Sequence, residues 1–171
     1  MLDLETMGTG ANAPIIAIGA VKFDHRGIIE PFYYSHTSLQ SCVDLGMTMD
    51  PGTVMWWMKQ NDEARAAITK DNPTHIVAAL QSFAEWCGRP AGVWGNGASF
   101  DNVLLANAFK LAGIRQPWSY KADRCYRTVR ALFPDINPPR NERLVLHNAL
   151  DDARWQTHVL LEIIKSGAFV L

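Results

Sequence analysis

Residues 1–36 read MLDLETMGTGANAPIIAIGAVKFDHRGIIEPFYYSH, and this stretch decides the fold. Met1 to Glu5 is a short apolar segment that Thr6-Met7-Gly8-Thr9-Gly10 breaks. Pro14 to Phe23 is β-branched and nearly continuous, and a turn over Asp24 to Gly27 follows. Ile28 to His36 resumes as a strand carrying Phe32, Tyr33 and Tyr34. Three strands joined by short turns predict an antiparallel meander.

The pattern changes after Thr37. Asp50-Pro51 opens a helical stretch through Trp56, Trp57 and Met58, with proline suited to a first turn. Asp62 to Ile68 reads as a second short helix. Thr74 to Cys87 is a stronger one, with Ile76, Leu80, Phe83, Ala84 and Cys87 on one face and Gly88 as its stop. A brief strand over Gly92 to Asn96 leads to a helix over Asp101 to Leu111, with Ser99 as its candidate cap. A strand near Trp118 to Ala122, a helix around Arg124 to Phe133, a Pro-rich loop from Pro134 to Arg143 and a last helix, about Asn148 to Lys165, complete the chain. Late strand–helix–strand units add parallel strands to the meander. The expectation is one α/β domain over residues 1–171, a mixed sheet with helices on both faces.

The bulk numbers fit. A chain of 171 residues with 48% hydrophobic content is sized for one core. No apolar run reaches the roughly 18 residues that cross a bilayer, and the acidic opening MLDLET lacks the basic-then-apolar pattern of a secretory signal. Cys42, Cys87 and Cys125 are odd in number and widely spaced, which fits reduced thiols in a cytoplasmic protein. The net charge of −1 argues against a nucleic-acid partner only until the acids are sorted. If four carboxylates hold metal ions, the remaining 13 acids face 16 Lys and Arg. From Lys110 to Arg154, nine basic residues stand against five acidic ones. This bias suits phosphate contacts, and a solvated helix face would give it too.

Asp3 and Glu5 lie two apart on a predicted strand, so both point to one face. Side-by-side carboxylates repel unless a cation or proton neutralises them, and hard divalent ions prefer such oxygens. An acidic surface strand reads the same way. Asp101 opens a helix, where the macrodipole favours an acid in any case. His147 precedes the last helix and Asp152 sits in it, which would aim both into one cleft. An acidic first turn explains Asp151 better than Asp152.

Taken together, Asp3-Leu4-Glu5-Thr6, Asn96-Gly97-Ala98-Ser99-Phe100-Asp101 and the H-x-A-x-x-D-A run of His147, Ala149, Asp152 and Ala153 resemble the three motifs of the DEDDh 3′–5′ exonucleases (DnaQ-like, RNase T-like). The order and the intervals also suit that superfamily, and the resemblance covers essentially the whole chain. The long opening and the Trp56-Trp57 pair look like the exonuclease VIII-like and DexA-like phage group, which has a mycobacterial exoribonuclease relative.

The resemblance implies an RNase H-like five-stranded sheet, a three-strand meander plus two parallel strands. It implies two Mg²⁺ or Mn²⁺ ions on Asp3, Glu5, Asp101 and Asp152, with His147 as general base, since an imidazole titrates close to neutral pH. The substrate would be the 3′ end of single-stranded DNA or RNA, leaning to DNA, and the product a nucleoside 5′-monophosphate. Thr6, Met7 and Gly8 map to the turn that holds the terminal nucleotide, with Gly8 and Gly10 allowing close backbone approach. Asn96, Phe100, Trp57 and Arg143 are further candidate substrate contacts. Asn96 also reads as a strand end, and Phe100 and Met7 as core. Either Trp56 or Trp57 could stack on a base or form a homodimer contact. Arg140 and Arg143 are placed to clamp a phosphate. The rivals are a non-catalytic module on an exonuclease fold and an endonuclease of the wider RNase H-like group.

Overall fold

The structure is a computed structural model that describes residues 1–169. Its centre is a five-stranded mixed sheet in the order β3-β2-β1-β4-β5. β1 (Leu2–Thr6), β2 (Ile15–Asp24) and β3 (Gly27–His36) form the antiparallel meander. β4 (Val93–Gly95) and β5 (Asp123–Cys125) extend the sheet in parallel on the other side of β1. The helices are α1 (Leu39–Asp44), α2 (Pro51–Trp57), α3 (Asp62–Ile68), α4 (Ile76–Cys87), α5 (Asp101–Leu111), α6 (Tyr126–Leu132) and α7 (Ala149–Lys165).

Strand periodicity sorts the side chains onto two faces. Leu2 and Leu4 enter a core with Ile18, Ala20, Leu80, Phe83, Leu104 and Phe109, beneath α4 and α5. Val21 and Trp94 enter the core beneath α6 and α7, with Tyr126, Val129, Leu160 and Ile163. Asp3 and Glu5 alternate with Leu2 and Leu4, and therefore face α7. Opposite Asp3 on β2 stands Gly19. A Cβ there would overlap the backbone of Ala149 and Leu150, so the absent side chain lets the start of α7 lie directly over the acidic strand.

Three local readings are corrected. The segment Trp118 to Ala122 is not a strand: Tyr120–Ala122 form a 3₁₀ turn capped by Ser119, and the strand follows at Asp123–Cys125. Asp123 anchors it, accepting at 2.8 Å from both Trp118 Nε1 and Asn102 Nδ2. Ser99 is not the cap of α5, whose N-cap is Phe100 with no side-chain hydrogen bond. Helix α1, capped by Ser38, follows the meander where no helix was expected; it is only six residues long and shows no sustained helical period. Among the described residues, no helix is long and apolar enough to cross a membrane.

Candidate active site

The carboxylates separated by up to 149 residues in the chain converge at the end of β1. Asp3, Glu5 and Asp152 each offer an oxygen within 4.8 Å of the others. Asp101 joins from the start of α5, buried to 2% exposure. Its Oδ1 accepts from the Leu4 amide at 3.2 Å, which ties the helix start to the acidic strand.

Electrostatics mark the cluster as only partly neutralised by protein groups, with one ion pair from Arg140 to Asp152. Burial, reinforced by Asp101, Glu5 and Asp152, holds the Asp3 carboxyl well above the usual range. Burial, with Asp152 and Asp101 beside it, pushes Glu5 up to about 8. Asp101 is pushed up to about 7 by burial, even though the Leu4 amide favours its ionised form. Glu5 Oε1 and Asp101 Oδ2 are buried without a hydrogen-bond partner. Buried carboxylate oxygens without donors are costly, and a hard divalent cation is the group that this all-oxygen set fits.

His147 sits on the rim of this cluster. Its backbone lies in the left-handed region at φ 60°, where non-glycine residues are uncommon but histidine is enriched. The strain is held by its own N–H, which donates to Asp152 Oδ2 at 2.9 Å. Its imidazole stands edge-on to Trp56 (centroids 5.0 Å, 86° between planes) and to Trp57 (6.1 Å, 81°). The two tryptophans thus divide their work. Trp57 is buried, donating its Nε1–H to the Thr6 carbonyl at 2.9 Å; Trp56 is 43% exposed beside the histidine.

A cavity of about 410 Å³ adjoins Glu5, lined by Thr6, Gly8, Trp56, Trp57 and Phe100 among others. Its size lies within the range of small-ligand pockets (about 300–1,000 Å³). Thr6 donates its hydroxyl to the Gly8 carbonyl at 2.7 Å, closing the turn after β1. A Cβ on Gly8 would stand 3.0 Å from the Ala13 Cβ, so close approach at Gly8 is real; at Gly10 nothing lies within 4 Å. Met7 packs against the small core of Ile16, Trp57 and Ala64 and is not among the residues lining the cavity. Asn96 accepts from Arg127 through its carbonyl at 2.8 Å, and Arg143 is exposed.

With this geometry in view, a family comparison is decisive. Residues 1–164 match the family model described as the 3′–5′ exoribonuclease Rv2179c-like domain. The chain belongs to this family. No curated protein matches it in sequence. The Rv2179c-like family is one of 3′–5′ exonucleases, so nucleic acid is its substrate class.

Two residues of this Rv2179c-like domain carry site contacts that sequence reading missed or placed elsewhere. Gln156, one helical turn beyond Asp152, is buried and donates its Nε2–H to Asp3 Oδ1 at 2.6 Å. Spacing of i, i+4 from Asp152 was the available signal, but a helical glutamine has many ordinary readings. Arg140 is not free to reach from a loop: its guanidinium lies 2.7 Å from Asp152 Oδ1 and 3.3 Å from the Val145 carbonyl. Asp151 accepts from the Val145 amide at 3.0 Å and so secures the same loop from the next position.

Proposed function

We infer that the chain is a 3′–5′ exoribonuclease of the DEDDh type, releasing nucleoside 5′-monophosphates from single-stranded RNA. The observation that carries this reading is the convergence of Asp3, Glu5 and Asp152 within 4.8 Å, with two partnerless carboxylate oxygens on Glu5 and Asp101 beside them. The family description favours RNA over the lean to DNA drawn from the phage-like opening, which has no contact beside it.

Asp3, Glu5, Asp101 and Asp152 would hold two Mg²⁺ or Mn²⁺ ions. When bound, such ions supply Lewis-acid stabilisation of charge at the scissile phosphate. The chain's own groups do the rest. His147 takes the proton of the attacking water as its oxygen bonds to phosphorus, and the bond from phosphorus to the 3′ oxygen breaks. The shortened strand leaves with a 3′ hydroxyl after that oxygen gains a proton. Asp152 orients His147 by accepting its backbone N–H, and Trp56 and Trp57 fix the ring from one side. The cavity beside Glu5 seats the terminal nucleotide, with Thr6, Gly8 and Phe100 on its walls.

The test is digestion of matched 3′- and 5′-labelled RNA and DNA oligonucleotides with Mg²⁺, Mn²⁺ or EDTA. Expected is a metal-dependent ladder shortening from the RNA 3′ end, lost in Asp3→Ala and His147→Ala. Equal or faster digestion of DNA would overturn the choice of sugar. No nucleotide release by folded, metal-loaded protein would favour the binding-module reading.

A further inference from the structure

Strands β1, β4 and β5 run parallel, with Leu2, Gly95 and Cys125 in one row. Beyond that row β1 carries the acids, β4 turns through Asn96 and Gly97, and β5 passes into α6. Ligands of open α/β sheets lie across such carboxyl ends. The cavity beside Glu5 takes its walls from the end of β1, the turn after it, α2 and Phe100, and none of them from β4, β5 or α6. A strand whose terminal nucleotide fills that cavity therefore has the ends of β4 and β5 as its way onward past the acids.

This edge is basic: residues 124–134 hold three arginines and no acid. Two of the three are engaged by the protein. Arg124 turns back to the Lys121 and Asp123 carbonyls at 2.8 and 3.0 Å. Arg130 closes the far end of α6 on the Phe133 and Pro134 carbonyls and on Asn137. Arg127 is different. Its guanidinium lies over Gly97, where a Cβ would stand 3.5 Å from the guanidinium carbon. One hydrogen bond, to the Asn96 carbonyl at 2.8 Å, holds it there. The side chain is exposed and forms no ion pair among the described residues. A guanidinium offers five N–H donors, so most of them remain for a ligand.

We propose that Arg127 binds the second phosphate of the RNA, the one on the 5′ side of the penultimate nucleotide. This assignment rests on the exonuclease reading, which puts the scissile phosphate at the acids and the terminal nucleotide in the cavity. The bond to Asn96 fixes the guanidinium beside the turn that leads to Asp101, so its free donors stay on the edge that the strand crosses. Guanidinium and phosphate pair through charge-assisted, often bidentate hydrogen bonds, and such a contact reads no base. The phosphate it holds remains on the shortened strand after cleavage and is the scissile one in the next round.

The experiment gives the full chain, with Mn²⁺, two ribodinucleotides that differ only at the 5′ end, one a hydroxyl and the other a phosphate. Both carry the scissile linkage, and only the second carries a phosphate one nucleotide upstream. The unaltered chain is expected to hydrolyse the phosphorylated form with about tenfold higher kcat/KM, mostly through KM. In Arg127→Gln that ratio should fall to about one, and Arg127→Lys should restore part of it. On a longer single-stranded RNA, the slope of log binding constant against log salt should shrink by about 0.7 in the Gln variant. An unchanged ratio in Arg127→Gln overturns the assignment, and a parallel loss on both substrates would mean that Arg127 only holds the Asn96 turn. Equal efficiencies in the unaltered chain overturn it as well and leave the exonuclease reading standing. Hydrolysis of neither dinucleotide nor of the longer RNA would sink the exonuclease reading, and this assignment with it.

Discussion

At the scale of single residues, the acidic cluster makes two quantities predictable. Folded-state carboxyls raised to about 8 at Glu5 and about 7 at Asp101 keep protons that the unfolded chain has released. The folded state therefore binds more protons between the ordinary carboxylate range and those values, and stability falls as pH rises through that window. The metal-free protein should lose thermal midpoint steadily from pH 5 to 8, as scanning calorimetry in EDTA would record; a flat or rising midpoint would contradict the cluster's electrostatics. Gln156 makes the second prediction. Its amide fixes Asp3 Oδ1, and removal of such an outer partner typically costs about 10–100-fold in metal affinity or activity. Gln156→Leu should therefore weaken Mg²⁺ activation by about that factor with little change in midpoint, read from rate against Mg²⁺ concentration. The five proposed catalytic residues were legible because each stands in a short motif with fixed spacing. Gln156 and Arg140 were not, because their contacts span 153 and 12 residues and nothing local marks either one.

At the scale of elements, helix α7 and the tryptophan pair of α2 determine the shape of the site. The N-terminal end of α7 lies over β2 only because Gly19 offers no side chain. Gly19→Ala forces backbone apart rather than a flexible side-chain tip, so it should cost about 3 kcal/mol or more, the upper part of the overpacking range, measured by urea unfolding. In α2, Trp57→Ala should cost about 3–5 kcal/mol as a buried aromatic truncation. Trp56→Ala should leave stability nearly unchanged and lower kcat about tenfold at constant KM, because what it loses is the wall against His147. A fall in affinity for RNA with kcat unchanged would instead assign Trp56 to substrate stacking. The same elements show what the sequence could convey. The meander, α3 and α5 were readable from β-branched runs, turn residues and helical period, since local pattern and tertiary burial agree there. α1 and β5 are six and three residues long. Elements that short are set by capping and by side-chain anchors such as Asp123, which periodicity does not register.

At the scale of the whole molecule, the site joins parts of the fold that are otherwise packed on different faces. Asp3 and Glu5 come from the central strand, Asp101 from the helix layer on one face and Asp152 from the layer on the other. The protein supplies Arg140 to Asp152 and Gln156 to Asp3, which leaves the cluster short of positive charge. Such a centre stores repulsion in the fold, and an ion that binds only the folded state stabilises it by mass action, by about 2.7 kcal/mol at 100 times its dissociation constant. Two opposite effects should therefore follow from Asp3→Asn at pH 8. Without metal, the variant should melt above the unaltered protein, because Asn has no carboxyl that must be either buried charged or reprotonated when the chain folds. With saturating Mn²⁺ the order should reverse, since the unaltered chain gains a midpoint shift of several degrees that the variant lacks. Calorimetry of both proteins with and without the ion checks this in one set of scans. A variant that melts lower in EDTA would mean that Asp3 supports the fold through its bond to Gln156 more than it strains the fold through its neighbours.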